Sequence, residues 1–277
     1  MTEDDISPTE NCRALYLKTS WIEGVAVEKY LKCAGEQIYD LPCNGLKIIQ
    51  HQNSYRFGID SVLLANFVKA GKDDRIMDLG TGSGVIAILL AAKTGAREIV
   101  GIEIAKAVFD RAARSVEMNK LQGRVKIVHG DLKEAPKNFG RDSFSVVVTN
   151  PPYMTLAEGK PSPNPEMALA RHEVKANLKD LVSTAWELLK FGGRFYMIYR
   201  AARLADAMYE LRAKDLEPKL LQFIQPRADE GPNLFLVMAK KGASAGLEIL
   251  PPLVLYGSDG TYVDEVKAMY FGKGREV

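Results

Sequence analysis

Residues that build metal centres and covalent scaffolds are scarce in this sequence. Its 277 residues include only three histidines and three cysteines, and no histidine lies near a cysteine at the spacing of zinc ligands. The cysteines, Cys12, Cys33 and Cys43, cannot all pair within one chain. We therefore expect no metal site, and we expect reduced cytosolic thiols rather than a disulfide framework.

Long apolar runs are also absent. No stretch approaches the roughly 20 apolar residues of a transmembrane helix, and residues 1–11 are acidic and polar, unlike a secretory signal. Hydrophobic residues make up 47% and charged residues 26% of the chain, which is typical of a globular protein. A net charge of +2 does not by itself indicate a nucleic-acid-binding protein. These features predict a cytoplasmic protein that does not enter a membrane.

Strand and helix patterns alternate along most of the chain. Short apolar runs such as 75–79 and 143–149 are separated by apolar or amphipathic runs of helical length. This alternation predicts an α/β fold, doubly wound, with a mostly parallel sheet covered on both faces. We expect four segments: an extension of unknown role (1–40), a hairpin and helix leading into the core (41–70), the main domain (71–240), and a hairpin and helix that pack on it (241–277).

The segment before the main domain carries a hairpin pattern. Residues 46–51 and 54–57 read as strands on either side of the turn formed by Gln52 and Asn53, which predicts an N-terminal β-hairpin. Asp60 stands where a helix over 61–69 would begin, and we expect it to be the N-cap.

A glycine-rich loop follows the first strand of the main domain, over residues Asp78 to Gly84. Glycines at alternate positions let the backbone approach a ligand closely and turn sharply into a helix. The spacing departs from the dinucleotide fingerprint, because Val85 stands where its third glycine belongs, and the loop lacks the Lys-Ser/Thr ending of a P-loop. It therefore suits a ligand without phosphates to cradle, and S-adenosylmethionine is one such ligand.

Acidic residues follow the next two strands. Glu103 stands about 20 residues after the loop, where doubly wound sheets place an acid that accepts hydrogen bonds from ribose hydroxyls. Asp131 would accept a hydrogen bond from the cofactor's adenine amine, with Leu132 against the ring. The complete set of candidate cofactor residues is Asp78, Gly80, Thr81, Gly82, Gly84, Glu103, Asp131, Leu132 and Asn150.

These residues resemble the motifs of the class I S-adenosylmethionine-dependent methyltransferases. The resemblance covers roughly residues 74–240. It implies a Rossmann-like sheet of seven strands whose last strand is antiparallel, and it implies that Glu103 holds the ribose.

The fourth strand ends in Asn150-Pro151-Pro152-Tyr153. Two prolines make a stiff extended loop that presents carbonyls and one side-chain amide. The Asn150 side-chain oxygen and the Pro151 carbonyl would each accept one N–H of a planar amine, and Tyr153 would stack on a flat substrate. We therefore predict that these four residues are catalytic and that they orient an amine rather than deprotonate it. Amino-methyltransferases acting on adenine N6 or on glutamine side chains carry this motif.

Further segments resemble one subfamily, the bacterial tRNA1(Val) adenine-N6 methyltransferases, which modify the adenosine at tRNA position 37. These segments are 43–50, 57–65, 170–173, 251–256 and 259–262. The resemblance implies a tRNA anticodon loop as partner, where the target base is already single-stranded. Lys160, Arg171 and His172 are candidate phosphate contacts, although Arg171 and His172 fit a salt bridge with Glu173 equally well.

Three other functions fit parts of the pattern. A protein glutamine methyltransferase would use the same catalytic loop, but such enzymes usually carry a helical N-terminal domain in place of a hairpin. A DNA adenine methyltransferase would usually need a target-recognition domain, which we do not find. A binding module without catalysis would not need both the glycine loop and the Asn150 loop.

Overall fold

The structure is a computed structural model, and it describes residues 32–41, 43, 45–52, 57–151 and 177–271. Its strands and helices are β1 (Glu36–Asp40), β2 (Lys47–His51), α1 (Ile59–Phe67), β3 (Arg75–Leu79), α2 (Val85–Lys93), β4 (Glu98–Glu103), α3 (Lys106–Met118), β5 (Val125–His129), α4 (Ala135–Phe139), β6 (Phe144–Thr149), α5 (Leu178–Leu188), β7 (Leu189–Arg200), α6 (Leu204–Ala213), β8 (Leu216–Gln225), β9 (Leu234–Lys241), β10 (Glu248–Val254) and α7 (Asp264–Phe271).

The main sheet has the strand order β10-β8-β9-β7-β6-β3-β4-β5. Neighbouring strands are parallel except at β9, which runs antiparallel to both β7 and β8. The predicted doubly wound, mostly parallel sheet with an antiparallel strand is therefore confirmed.

The predicted number of seven strands is one too few for the described residues. β10 extends the sheet by pairing in parallel with β8, although it contains Pro251 and Pro252. Because proline nitrogens donate no hydrogen bonds, prolines are tolerated mainly in edge strands, and the register shifts between Leu250 and Leu253 where they occur. Paired prolines usually mark a loop in a sequence, which is why this strand was missed.

The N-terminal hairpin exists, but its strands differ from those predicted. β2 pairs antiparallel with β1, from Glu36 opposite His51 to Asp40 opposite Lys47. The first strand therefore lies within the segment predicted to be an extension, and the predicted second strand falls largely on residues 53–56, outside the described residues.

Successive residues of the strands face opposite sides of the main sheet, as the pleat requires. Ile76 and Val148 pack on the side of α1, α2 and the hairpin, whereas Met77 and Val147 pack on the side of α5 and α6. All residues from Val85 to Ala91 of α2 are buried, and both the sheet and α1 pack against this helix. Two apolar layers, one on each face of the main sheet, thus hold the ends of its strands in position.

Side chains of α3 hold the hairpin in place. The Asn119 side chain accepts from Lys47 N at 2.8 Å and donates to Lys47 O at 2.7 Å. Ser115 Oγ accepts from Ile49 N at 3.0 Å. These bonds satisfy backbone groups along the edge of β2 that β1 does not reach.

A buried ion pair joins the same elements. Arg114 donates two hydrogen bonds to the Glu36 carboxylate, at 2.6 and 2.7 Å, and Cys33 N donates a third at 2.7 Å. Burial would raise the pKa of Glu36, but these hydrogen bonds and the Arg114 charge outweigh it and hold the pKa below its usual range.

Two local predictions are wrong. The N-cap of α1 is Gly58, and Asp60 lies inside the first turn, where a carboxylate still interacts favourably with the helix dipole. Cys33 is disulfide-bonded, whereas Cys43 is a free thiol. Cysteine counts alone did not reveal this bond, because any two of three thiols can pair.

Candidate active site

The candidate residues converge at the carboxyl ends of β3, β4 and β6. β3 lies between β4 and β6, and the chain crosses from β5 back over β3 and β4 to form β6. The sheet therefore changes its winding direction beside β3, and ligands of doubly wound sheets bind at such a point.

The glycines after β3 have backbone conformations that favour glycine. Gly80, Gly82 and Gly84 have φ values of +69°, +57° and +84°, in the left-handed region. A Cβ added at Gly80 or Gly82 would meet no atom within 4 Å, whereas one at Gly84 would lie 3.3 Å from Cβ of Ala112. Two glycines therefore line open space, and the third lets the start of α2 approach α3.

Thr81 anchors the loop to the strands below it. Its backbone N–H donates to Ile102 O at 3.0 Å, and its hydroxyl donates to Asp78 Oδ2 at 2.6 Å. A Cβ on Gly101 would come within 2.7 Å of Thr81 Oγ1. Gly101 is thus a site residue missed by the sequence prediction, and a glycine inside a strand is the signal that could have found it.

Glu103 is 7% exposed and uses both carboxylate oxygens to hold the backbone. Oε2 accepts from Gly82 N and Oε1 from Ala105 N, each at 2.9 Å. The carboxylate therefore fixes the glycine loop relative to the start of α3. Each carboxylate oxygen has more than one lone pair, so these bonds are compatible with the predicted contact to ribose hydroxyls.

Asp78 is completely buried beneath the loop. Its pKa is raised to about 7, chiefly by burial and also by the nearby Glu103 charge, while the Thr81 hydroxyl opposes the shift. Oδ1 has no hydrogen-bond partner among the described residues. A buried carboxyl group with an unmatched oxygen favours its protonated form near neutral pH.

Asp131 and Leu132 follow β5, next to β4 in the sheet. Asp131 is half-buried and caps a single turn of 3-10 helix, since Oδ1 accepts from Lys133 N at 2.9 Å. Leu132 is half-buried and packs on the core.

Asn150 directly follows β6 and is half-buried. The strand end is fixed because Thr149 Oγ1 donates to Leu79 O at 2.9 Å. Asn150 Nδ2 donates to Ser61 Oγ at 3.5 Å, so the start of α1 also contacts this side chain. Ser61 is buried, and the sequence prediction gave it no role. Pro151 is buried.

The remaining candidates, Pro152, Tyr153, Lys160, Arg171 and His172, lie outside the described residues. Within the part of the chain that the structure describes, no group of three or more His, Cys, Asp or Glu could hold a metal ion. None of the described helices has the length and apolar character to cross a membrane.

Residues 54–213 match the model of a protein family, the methyltransferase small domain. The chain therefore belongs to the methyltransferase small domain family. The matched region contains the glycine loop, Glu103, Asp131 and Asn150.

Two curated relatives share one name, tRNA1(Val) (adenine(37)-N6)-methyltransferase. The relative from Porphyromonas gingivalis is 31% identical over an alignment of 159 residues, which covers 54% of this chain and 61% of that protein. The relative from Tolumonas auensis is 24% identical over 224 residues, 80% of this chain and 91% of that protein. The chain spans about three fifths of the length of the first relatives that it matches.

A solved structure supports the fold. A predicted O-methyltransferase from Agrobacterium tumefaciens superposes with a TM-score of 0.63 at 23% identity, covering 78% of this chain and 98% of that one. The predicted class I methyltransferase fold of this methyltransferase small domain is confirmed.

Proposed function

We propose that the protein is an S-adenosylmethionine-dependent methyltransferase that transfers a methyl group to the N6 amine of adenine in tRNA, at position 37 of tRNA1(Val). The observation that carries this proposal is the placement of Asn150 at the end of β6, next to the strand that leads into the glycine loop. The name shared by the curated relatives supports the choice of substrate.

The loop residues fit S-adenosylmethionine. Gly80 and Gly82 border open space into which a ligand can approach the backbone, and the Glu103 carboxylate lies beside it, held by Gly82 N. In the proposal Glu103 binds the ribose hydroxyls, while Asp131 and Leu132 hold the adenine end. When bound, the cofactor supplies an electrophilic methyl group.

Asn150 and Pro151 would orient the nucleophile. The Asn150 oxygen and the Pro151 carbonyl each accept one N–H of the exocyclic amine, so that its nitrogen lone pair is directed at the methyl carbon. Asn150 Nδ2 donates to Ser61 Oγ at 3.5 Å, so the start of α1 would help to position this amide. The amine nitrogen would bond to the methyl carbon as the sulfur–methyl bond of the donor breaks, leaving S-adenosylhomocysteine, and the nitrogen would then release a proton to water, so no strong base is needed.

The substrate side would be completed by residues beyond the described chain. Tyr153 is proposed to stack on the target adenine, and Lys160, Arg171 and His172 are proposed to contact phosphates of the anticodon loop. An anticodon-loop base is already unpaired, so exposing it costs less than flipping a base out of a duplex. A tRNA substrate would place the protein in the cytoplasm.

Methyl transfer to competing substrates tests the proposal. The purified protein would be incubated with methyl-labelled S-adenosylmethionine and, separately, unmodified tRNA1(Val), a peptide release factor and DNA. We expect label in tRNA, recovered as N6-methyladenosine at position 37 after nuclease digestion and mass spectrometry. Label in the release factor alone would establish the glutamine methyltransferase alternative, and label in DNA alone would establish a DNA adenine methyltransferase.

A further inference from the structure

Three tyrosines near the C-terminal end form a column of stacked rings. The centroids of Tyr256 and Tyr262 are 4.9 Å apart with an angle of 18° between the ring planes. Those of Tyr262 and Tyr270 are 5.7 Å apart with an angle of 21°. Aromatic pairs in proteins prefer offset-stacked or edge-to-face arrangements, and these three rings adopt the stacked one. We call these three residues the tyrosine column.

The column is held by backbone contacts at the carboxyl edge of the main sheet. Tyr256 follows β10, which runs in the same direction as β6, and its N–H donates to Pro226 O at 2.9 Å. Tyr256 and Tyr262 form an antiparallel bridge around a tight turn, in which Gly257 N donates to Thr261 O at 2.9 Å. The rings therefore lie at the edge of the sheet that carries the cofactor loop.

The column also extends towards Asn150. Tyr270 lies on α7, and α7 packs against α1. The pKa of Tyr270 is raised by burial, then by the Tyr256 phenol and by the carboxylate of Asp60, which lies in the first turn of α1. The next residue, Ser61, accepts the hydrogen bond from Asn150.

The charges around the column argue against phosphate contacts there. Asp259, Asp264 and Glu265 are exposed on the turn and the start of α7, and the nearby Lys267 is 3.7 Å from Asp264. Carboxylates repel the RNA backbone, whereas stacking on an aromatic ring requires no positive charge.

We propose that the tyrosine column is a stacking surface for a base of the RNA that neighbours the target adenine. The inference rests on the proposed function and adds to it a contact for a second nucleotide. Single-stranded RNA is recognised largely by stacking unpaired bases on aromatic side chains. A base added to the column near Tyr270 would direct the RNA strand past the start of α1 towards Asn150.

Substitution of Tyr270 tests the stacking role. Tyr270→Leu removes the ring plane, and we expect the KM for tRNA to rise about tenfold or more, while the KM for S-adenosylmethionine stays within about twofold. Tyr270→Phe retains the ring, and we expect it to recover most of the affinity. Tyr209, which is 71% exposed on α6, provides the matched control, and Tyr209→Leu should leave both KM values unchanged.

The salt dependence separates stacking from a phosphate contact. Losing a phosphate contact would make the change in affinity depend on salt, whereas losing a stacking contact should raise the KM by the same factor at about 50 and about 200 mM salt. An unchanged KM for tRNA in Tyr270→Leu, an equal rise in Tyr270→Phe, or a matching rise in the KM for S-adenosylmethionine would overturn the proposal.

A measurement on the unmodified protein covers the case in which Tyr270→Leu does not fold. An anticodon stem-loop would carry the fluorescent base 2-aminopurine next to the target adenine. Stacking quenches this base, so its fluorescence should fall when the protein binds, and binding without a fall would overturn the inference. Absence of any methyl transfer to tRNA by the wild-type protein would instead refute the proposed function.

Discussion

The ionisation of Asp78 departs clearly from that of the free side chain. The residue is fully buried and its pKa is raised to about 7, by burial first and then by the charge of Glu103. The unfolded chain loses this proton near its ordinary pKa of 3.8. Between these two values the folded protein binds one more proton than the unfolded chain at this position.

Folding stability is therefore expected to fall as the pH rises from about 4 to about 7, because the excess proton is then lost. Loss of the Asp78 proton should lower the free energy of unfolding by an amount on the order of 4 kcal/mol over this pH range. Asp78→Asn keeps an acceptor for Thr81 but cannot titrate, so it should lack this component. Urea unfolding at about pH 5 and pH 8 should show the variant gaining stability relative to wild type at the higher pH, and a difference independent of pH would contradict the raised pKa.

The parts of the site that the sequence predicted are those encoded locally. The loop from Asp78 to Gly84 and the acid Glu103 lie where glycine spacing and strand ends placed them, although their contacts with a cofactor stay predictions. Ser61 was missed because its contact with Asn150 joins residues 89 positions apart. A serine at the start of an apolar helix carries no local sign of such a contact.

Among the elements, β1 shows how a long-range contact creates a strand that local patterns do not predict. Its sequence, Glu-Gln-Ile-Tyr-Asp, contains few apolar residues. What holds it is β2 on one side and the pair between Glu36 and Arg114, which lies 78 positions later. β3 to β9, in contrast, were predictable because their apolar runs are buried between two helical layers.

Arg114→Ala is expected to lower the free energy of unfolding by about 3 kcal/mol, because it leaves the buried Glu36 carboxylate without its partner. Because the pKa of Glu36 is lowered in the folded state, its contribution is present above the unfolded value of 4.5 and is lost as the pH falls through the folded pKa. The difference between variant and wild type should therefore shrink in acid.

Lys106→Ala on the same helix, which removes an exposed pair with Asp110, should cost less than about 1 kcal/mol. Equal losses in the two variants during denaturant unfolding would refute this role of the pair.

At the scale of the whole molecule, the fold brings the strand ends of the main domain close to two helices that lie far apart in the sequence. These are α1, before the main domain, and α7, after it. The glycine loop and Glu103 follow β3 and β4, and Asn150 follows β6, which pairs with β3 on the other side. α1 approaches from the N-terminal side and contacts α7 of the tail. The proposed function requires these strand ends to bind a methyl donor and orient an amine in separable steps.

The most direct measurement compares donor binding with turnover in Asn150→Ala. Calorimetry should give a dissociation constant for S-adenosylmethionine within about threefold of wild type. Turnover on unmodified tRNA1(Val) should fall roughly 30- to 1,000-fold. This corresponds to an activation free energy raised by about 2–4 kcal/mol, by analogy with losing one positioned polar contact. Asn138→Ala, at an exposed position on α4, provides the control and should retain wild-type turnover. Wild-type turnover in Asn150→Ala would contradict the proposal that this residue orients the amine.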